Sequence, residues 1–190
     1  MSTIHLNRSF PLECGNELES LSIHYQTFGK LNADKSNVVW VCHALTANSN
    51  VLEWWDGLFG YNDLFDPEQY FIVCPNALGS CYGTTGPNSP GVNTRPLLKD
   101  FPTITTRDMA NAHDLLRQRL GIDQISITIG ASLGGQQAVE WAIERPEVHK
   151  KLVLIACNAR HSAYGVAFNE SQRQAIYSCL LYTSPSPRDA

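Results

Sequence analysis

The chain has 190 residues, 43% of them hydrophobic and 17% charged, with a formal net charge of −4. That composition describes a folded domain with a real core and excludes a disordered chain. No basic block is present, which argues against nucleic acid as the main partner, and no apolar run reaches membrane-spanning length.

The N-terminal "MSTIHLNRSF" lacks the apolar stretch of a secretory signal, so a cytoplasmic location is expected. "TIHLNRSFPL" and "LESLSIHYQTFG" read as two antiparallel strands joined by the turn "ECGN". "NVVWVCHAL" and "YFIVCPN" are short apolar runs and read as buried strands. Between them, "VLEWWDGLFGYNDLFDP" is aromatic and glycine-rich, an irregular loop or short helix. "ALGSCYGTTGPNSPG" is a long polar loop. Its glycines do not fit G-x-G-x-x-G, so no phosphate cradle is expected.

"TRDMANAHDLLRQRLG" has Met109, Ala112, Leu116 and Leu120 at steps of three and four, the apolar stripe of an amphipathic helix. Thr105 and Asp108 fit a capping box, and Gly121 fits a helix stop. A strand "ISITI", a serine turn and a helix through Trp141 follow. "KLVLIAC" is the next strand, and "FNESQRQAIYSCLL" begins a further helix. Strands alternating with helices predict an α/β fold, a mostly parallel sheet with an antiparallel N-terminal hairpin at its edge. "LYTSPSPRDA" has two prolines and no helical period, and it resembles translated sequencing read-through. Residues 177–190 are accordingly expected to be a non-native tail (the alternative is a natural flexible one), and residues 1–176 the portion of the domain that counts.

Cysteines 14, 42, 74, 81, 157 and 179 are scattered, with no C-x-x-C pair. Cys42, Cys74 and Cys157 lie in apolar runs, where a thiol packs as a small hydrophobe, so reduced structural thiols are expected and no metal site.

The chemistry concentrates at Gly130-Ala131-Ser132-Leu133-Gly134, a G-x-S-x-G match between a β-branched strand and a helix. Glycine two residues before and two after the serine lets strand and helix approach. Ser132 is the candidate nucleophile. The Leu133 N–H and the helix N-terminus would face a developing oxyanion.

A serine needs a base. His43, at the end of "VVWVC", reads either as that base or as part of an oxyanion loop in which the Leu45 N–H is the second donor. Chain order in this class of enzyme puts the base after the nucleophile, which favours the loop. His113 sits beside apolar helix positions, and His149 follows Pro146-Glu147 in a surface turn. His5 and His24 belong to the hairpin. His161, after "KLVLIAC", is a weak candidate for lining a pocket.

The segments "CHALT", "WWDGL", "YFIVCPNALGSCYGTTGP", "DFPTITTRDM", "GASLGGQQAVEWA" and "ARHSAYGVAFNESQRQAI" together resemble the homoserine O-acetyltransferase family, over about Ile4 to Ile176. Departures are small. The family commonly has Gly-Gly-Ser-Met-Gly-Gly at the serine, where this chain has Ala131 and Leu133, and Gly-Gly-Cys in the loop, here Gly79-Ser80-Cys81.

The resemblance implies the α/β-hydrolase fold and a ping-pong reaction. Ser132 takes an acetyl group from acetyl-CoA, a co-substrate rather than a bound cofactor, and passes it to the hydroxyl of L-homoserine in methionine biosynthesis. It also implies that the acid and base of the triad lie beyond residue 190, after a helical lid, and that an arginine and a tyrosine gripping homoserine lie beyond it too. As written, the chain is then expected to be inactive, and the full-length protein a homodimer. Relatives using succinyl-CoA or a serine acceptor, a plain esterase on the same fold, and a non-catalytic binding protein are the alternatives. "WWDGL" and "NALGSCYGTTGP" argue against the esterase.

Overall fold

The computed structural model describes residues 2–91 and 95–178. Its backbone forms two units, divided after Cys157.

The first unit is built on a six-stranded sheet, in the order β1-β4-β6-β5-β7-β8. β1 (Ser2–Leu6) and β4 (Leu21–Phe28) pair antiparallel, Ser2 opposite Tyr25 and Leu6 opposite Leu21. The expected N-terminal hairpin is therefore present, but interrupted. The residues around "ECGN" leave it as separate two-residue strands, β2 (Phe10–Pro11) and β3 (Glu17–Leu18), which pair with each other. Pro11 has no N–H to give a ladder, which limits β2 to a short edge segment. Gly15, at φ +86°, closes the turn between them.

β4 also runs antiparallel to β6 (Phe71–Pro75), so the antiparallel character reaches one strand deeper than a terminal hairpin. β6, β5 (Val38–Cys42), β7 (Ile127–Ala131) and β8 (Leu152–Ile155) are mutually parallel. Every residue of β5 is buried, as a central strand covered on both faces requires.

Alternate β5 side chains feed two apolar clusters. Val38, Trp40 and Cys42 pack with Leu116, Ala138 and Trp141. Val39 and Val41 pack with Val51, Phe59, Phe65 and Ile72 on the opposite face. The aromatic segment after β5 holds the single-turn helix α1 (Val51–Trp54), and its aromatics fill the second cluster.

Helix α2 (Thr106–Arg119) has the expected capping box: Thr105 Oγ1 accepts from the Asp108 N–H, and the Asp108 carboxylate accepts from the Thr105 N–H. Gly121 follows at φ +64°. Leu116 and Ala112 are buried, with Met109 and Leu120 packed at the margin.

Helix α3 (Leu133–Glu144) runs past Trp141 and ends where Pro146 approaches. β8 closes the sheet at one edge, with Leu152, Val153, Leu154 and Ile155 all exposed.

The second unit contains α4 (Ala163–Ser178), which starts five residues before Phe168 and contains Tyr177 and Ser178. It thus crosses the expected boundary between 176 and 177. The remainder of the expected tail, residues 179–190 with Cys179, lies outside the described residues.

Candidate active site

The parallel strands β5, β6 and β7 deliver three loops to one end of the sheet, at their carboxyl ends, where α/β proteins place their chemistry. Ser132 occupies the first residue after β7. Its backbone has φ +54° and ψ −121°, a conformation that a residue with a side chain adopts only under strain. The turn is pinned by the Ser132 N–H, which donates to the Ile155 carbonyl of β8 at 3.0 Å. The Ser132 carbonyl then accepts from the Gln136 N–H at 3.2 Å and starts α3. The result is an exposed serine at the head of a twelve-residue helix.

The glycines of the motif are required by contact. A Cβ on Gly130 would lie 2.7 Å from the Gly135 nitrogen. One on Gly134 would lie 2.5 Å from the Cys42 carbonyl carbon and 2.7 Å from the His43 carbonyl oxygen. Cys42 and His43 therefore cross directly over the first turn of α3. That contact brings the segment 43–45 to the same end of the sheet as Ser132, and Leu45 itself is exposed.

His43 is buried and held at both ring nitrogens. Nε2 accepts from the Ala77 N–H at 2.9 Å, and Nδ1 lies 2.7 Å from the Ala44 carbonyl oxygen. Burial holds its pKa below the usual value, so the ring is neutral. With both nitrogens engaged, it has no free face for a proton from Ser132. That engagement weighs against His43 as the base.

The loop after β6 is fastened to this segment and to β4. Asn76 Oδ1 accepts from the Ser49 N–H at 2.6 Å, and Asn76 Nδ2 donates to the Tyr82 carbonyl at 2.6 Å. Thr84 Oγ1 and Thr85 Oγ1 accept from the N–H groups of His24 and Ser22 in β4. The motif "NALGSCYGTTGP" is thus a clamp whose polar side chains satisfy backbone groups. These roles were not foreseen from the sequence, and the signal for them is an asparagine directly after a strand and a Thr-Thr pair facing another.

The other histidines of the first unit are held by partners of their own. His113 is buried between α2, β5 and α3: Trp40 Nε1–H donates to its Nδ1 at 3.0 Å, and its Nε2 meets Gln137 Oε1 at 2.9 Å. Burial depresses its pKa to about 4. Pro146 and Glu147 form an exposed turn as expected, but the His149 side chain turns inward from it. It is half-buried, edge-on to Trp141 at 4.7 Å, with Nδ1 2.7 Å from Thr128 Oγ1. Its backbone bridges Ile125, before β7, so it sits at the opposite end of that strand from Ser132. His5 and His24 are hydrogen-bonded across β1 and β4. His161 belongs to the second unit.

Cys42 and Cys74 are buried, and desolvation raises the Cys42 thiol to about 12 and the Cys74 thiol well above its usual value. Both are packing groups rather than nucleophiles. Among the described residues no cluster of three or more His, Cys, Asp or Glu could hold a metal, and no helix is long and apolar enough to cross a membrane.

A strained serine between a parallel strand and a helix, beside a loop from the neighbouring strand, defines a class. The chain belongs to the α/β hydrolase fold family, whose sequence profile matches residues 37–178. Within that family it is similar to the homoserine O-acetyltransferase of Cyclobacterium marinum, 48% identical over 96% of this chain and 52% of the relative. The chain spans about half the length of the curated relatives it matches. Among solved structures it is similar to the homoserine O-acetyltransferase of Bacillus anthracis, with a TM-score of 0.81 and 27% identity, over 98% of this chain and 56% of that one. An acetylester hydrolase from Corynebacterium glutamicum has a TM-score of 0.82 at 26% identity, over 93% and 50% of the two chains.

Proposed function

We propose that this chain carries the nucleophile half of a homoserine O-acetyltransferase. Ser132 Oγ attacks the thioester carbonyl of acetyl-CoA, the C–S bond breaks, and CoA leaves with the proton. The hydroxyl of L-homoserine then attacks the acetyl-serine ester, and Ser132 regains its proton. The backbone N–H groups of Leu133 and Leu45 stabilise the oxyanion in both steps. The observation that carries this reading is Ser132, strained and exposed at the head of α3, in a chain about half identical to proteins of that name.

The acid and base are assigned to sequence outside these residues. In this family the acid and then the base follow the nucleophile, and His149 sits at the opposite end of β7 from Ser132. Acetyl-CoA and homoserine are the partners, with a cytoplasmic, homodimeric full-length protein in methionine biosynthesis. Succinyl-CoA as donor or serine as acceptor would use the same serine.

A second reading has a specific support: an acetylester hydrolase shares the fold at a TM-score of 0.82. An esterase passes the acetyl group to water instead. The deciding experiment measures CoA release from acetyl-CoA by the full-length protein, with and without homoserine. Transferase activity requires homoserine and yields O-acetylhomoserine. Release that ignores homoserine supports the esterase, and activity surviving Ser132→Ala excludes both.

A further inference from the structure

The Ala44–Leu45 peptide is gripped by its carbonyl. The Ala44 oxygen accepts from the Ala47 N–H at 3.0 Å and lies 2.7 Å from His43 Nδ1. His43 Nε2 is already an acceptor, taking the Ala77 N–H at 2.9 Å. A neutral imidazole that accepts at one nitrogen carries its proton on the other. The ring is therefore the Nδ1–H tautomer, and Nδ1–H donates to the Ala44 oxygen. With His43 only 2% exposed, water does not compete for either contact.

A peptide is a rigid plane, and in the trans form its C=O and N–H point in opposite directions. No cis peptide occurs among the described residues. Fixing the Ala44 carbonyl therefore fixes the direction of the Leu45 N–H. Two donors on that carbonyl also polarise the amide and make its N–H a stronger donor.

We propose that His43 is a positioning residue: through the Ala44 carbonyl it aims and polarises the Leu45 N–H, and through Ala77 it couples that N–H to the loop after β6. The proposal rests on the assignment of Leu45 to the oxyanion hole made above. It gives the loop motif "NALGSCYGTTGP" a part in the chemistry without contact with the reacting atoms. The Ala77 N–H sets the tautomer, the tautomer sets the Ala44 carbonyl, and the carbonyl sets the donor.

The two nitrogens can be separated by substitution. An asparagine amide at position 43 stands in for Nδ1–H, whereas a glutamine amide reaches toward the Nε2 position. In the full-length protein, single-turnover acetylation of Ser132 should slow about 10- to 100-fold in His43→Ala and His43→Gln, part of the roughly 10²–10³ that one oxyanion donor is worth. His43→Asn should recover most of that loss. His43→Gln acetylating at the wild-type rate, or His43→Asn no faster than His43→Ala, overturns the proposal.

Should the variants fail to fold, the wild-type protein still decides. Nitrogen chemical shifts of 15N-histidine-labelled protein at neutral pH should show His43 protonated at Nδ1 alone. An Nε2–H ring or an imidazolium overturns the proposal. Ser132→Ala is the control for the underlying reading. If acyl transfer survives it, the assignment of Ser132 has failed, and the His43–Leu45 coupling is then read from the Leu45 amide proton, which should move upfield in His43→Gln. An unmoved Leu45 proton overturns the coupling too.

Discussion

The Cα of Gly134 faces the backbone of Cys42 so closely that a Cβ there would lie 2.5 Å from the Cys42 carbonyl carbon. The obstacle is main chain of the fully buried strand β5, which cannot swing aside as a flexible side chain can. Gly134→Ala should therefore cost about 3 kcal/mol, the upper part of the range for overpacking. Urea denaturation should show a lower midpoint with an unchanged slope. Gly15→Ala is the comparison: it meets no atom within 4 Å and pays only for its positive φ, about 1 kcal/mol. Equal losses at the two sites would mean that the close approach of α3 and β5 is not a constraint.

Ser132 stores strain, and the strain is measurable. At φ +54° and ψ −121° a glycine is at ease where a serine is not. Ser132→Gly should raise stability by about 1 kcal/mol while abolishing acyl transfer. A thermal melt reads the first effect and CoA release the second. A Ser132→Gly protein less stable than wild type would show that the serine side chain is itself a structural element.

The elbow was legible in the sequence because its requirements are local: glycines at fixed offsets, a β-branched strand before, a helical pattern after. The capping box of Thr105 and Asp108 was legible for the same reason. The clamp of Asn76 on Ser49, and the line from Trp40 through His113 to Gln137, were not. These groups are 27, 73 and 24 residues apart in sequence, and nothing local announces that sheet formation brings them together. The split of the N-terminal hairpin was missed because alternation of apolar residues continues through Phe10–Leu12, although Pro11 cannot hold a ladder. The inward turn of His149 is not legible either: Pro146 and Glu147 are exposed, and only the fold brings Trp141 against the ring that follows them.

Stability should fall on mild acidification. The folded-state pKa of His113 is about 4, below the roughly 6.5 of an unfolded histidine. The unfolded chain therefore binds more protons between those values. The stability contributed is full above pH 6.5 and is lost as pH falls toward 4, about 3 kcal/mol over that window. His43 and His149 are also shifted down by burial and add in the same direction. Urea midpoints from pH 7 to 4.5 should fall steeply for the wild type. The slope should be shallower by up to one proton in His113→Gln, and an identical slope would mean that His113 does not titrate on unfolding.

Strand β8 should make the 190-residue chain self-associate. Leu152, Val153, Leu154 and Ile155 are 38%, 37%, 43% and 39% exposed on a strand that ends the sheet among the described residues. Such an edge is a template for another strand. Leu152→Lys with Leu154→Lys places charge on one face of it and should suppress the association. Sedimentation velocity distinguishes the cases, and a monodisperse monomer of the wild-type chain would contradict the expectation.

Turnover is the most exacting expectation for the 190-residue chain taken by itself. It has a serine in an elbow and a neighbouring loop, but the buried histidines of the first unit are committed elsewhere. His43 is engaged at both nitrogens. His113 is closed into the core by Trp40 and Gln137. His149 lies beside Ile125, and β7 separates it from Ser132 by a span of about 20 Å. In serine hydrolases, loss of the histidine alone costs on the order of 10⁶ in turnover, while oxyanion hole and binding retain about 10³–10⁴ over water. The chain should sit at background for acetyl transfer to homoserine. A protein extended with sequence that supplies an acid and then a histidine should exceed it by several orders of magnitude. The comparison is CoA release at equal concentration for the chain, the extended protein and the extended protein carrying Ser132→Ala. If the chain matches the extended protein and loses that activity on Ser132→Ala, a base lies within these residues. His161, in the second unit, would then be the histidine to replace next.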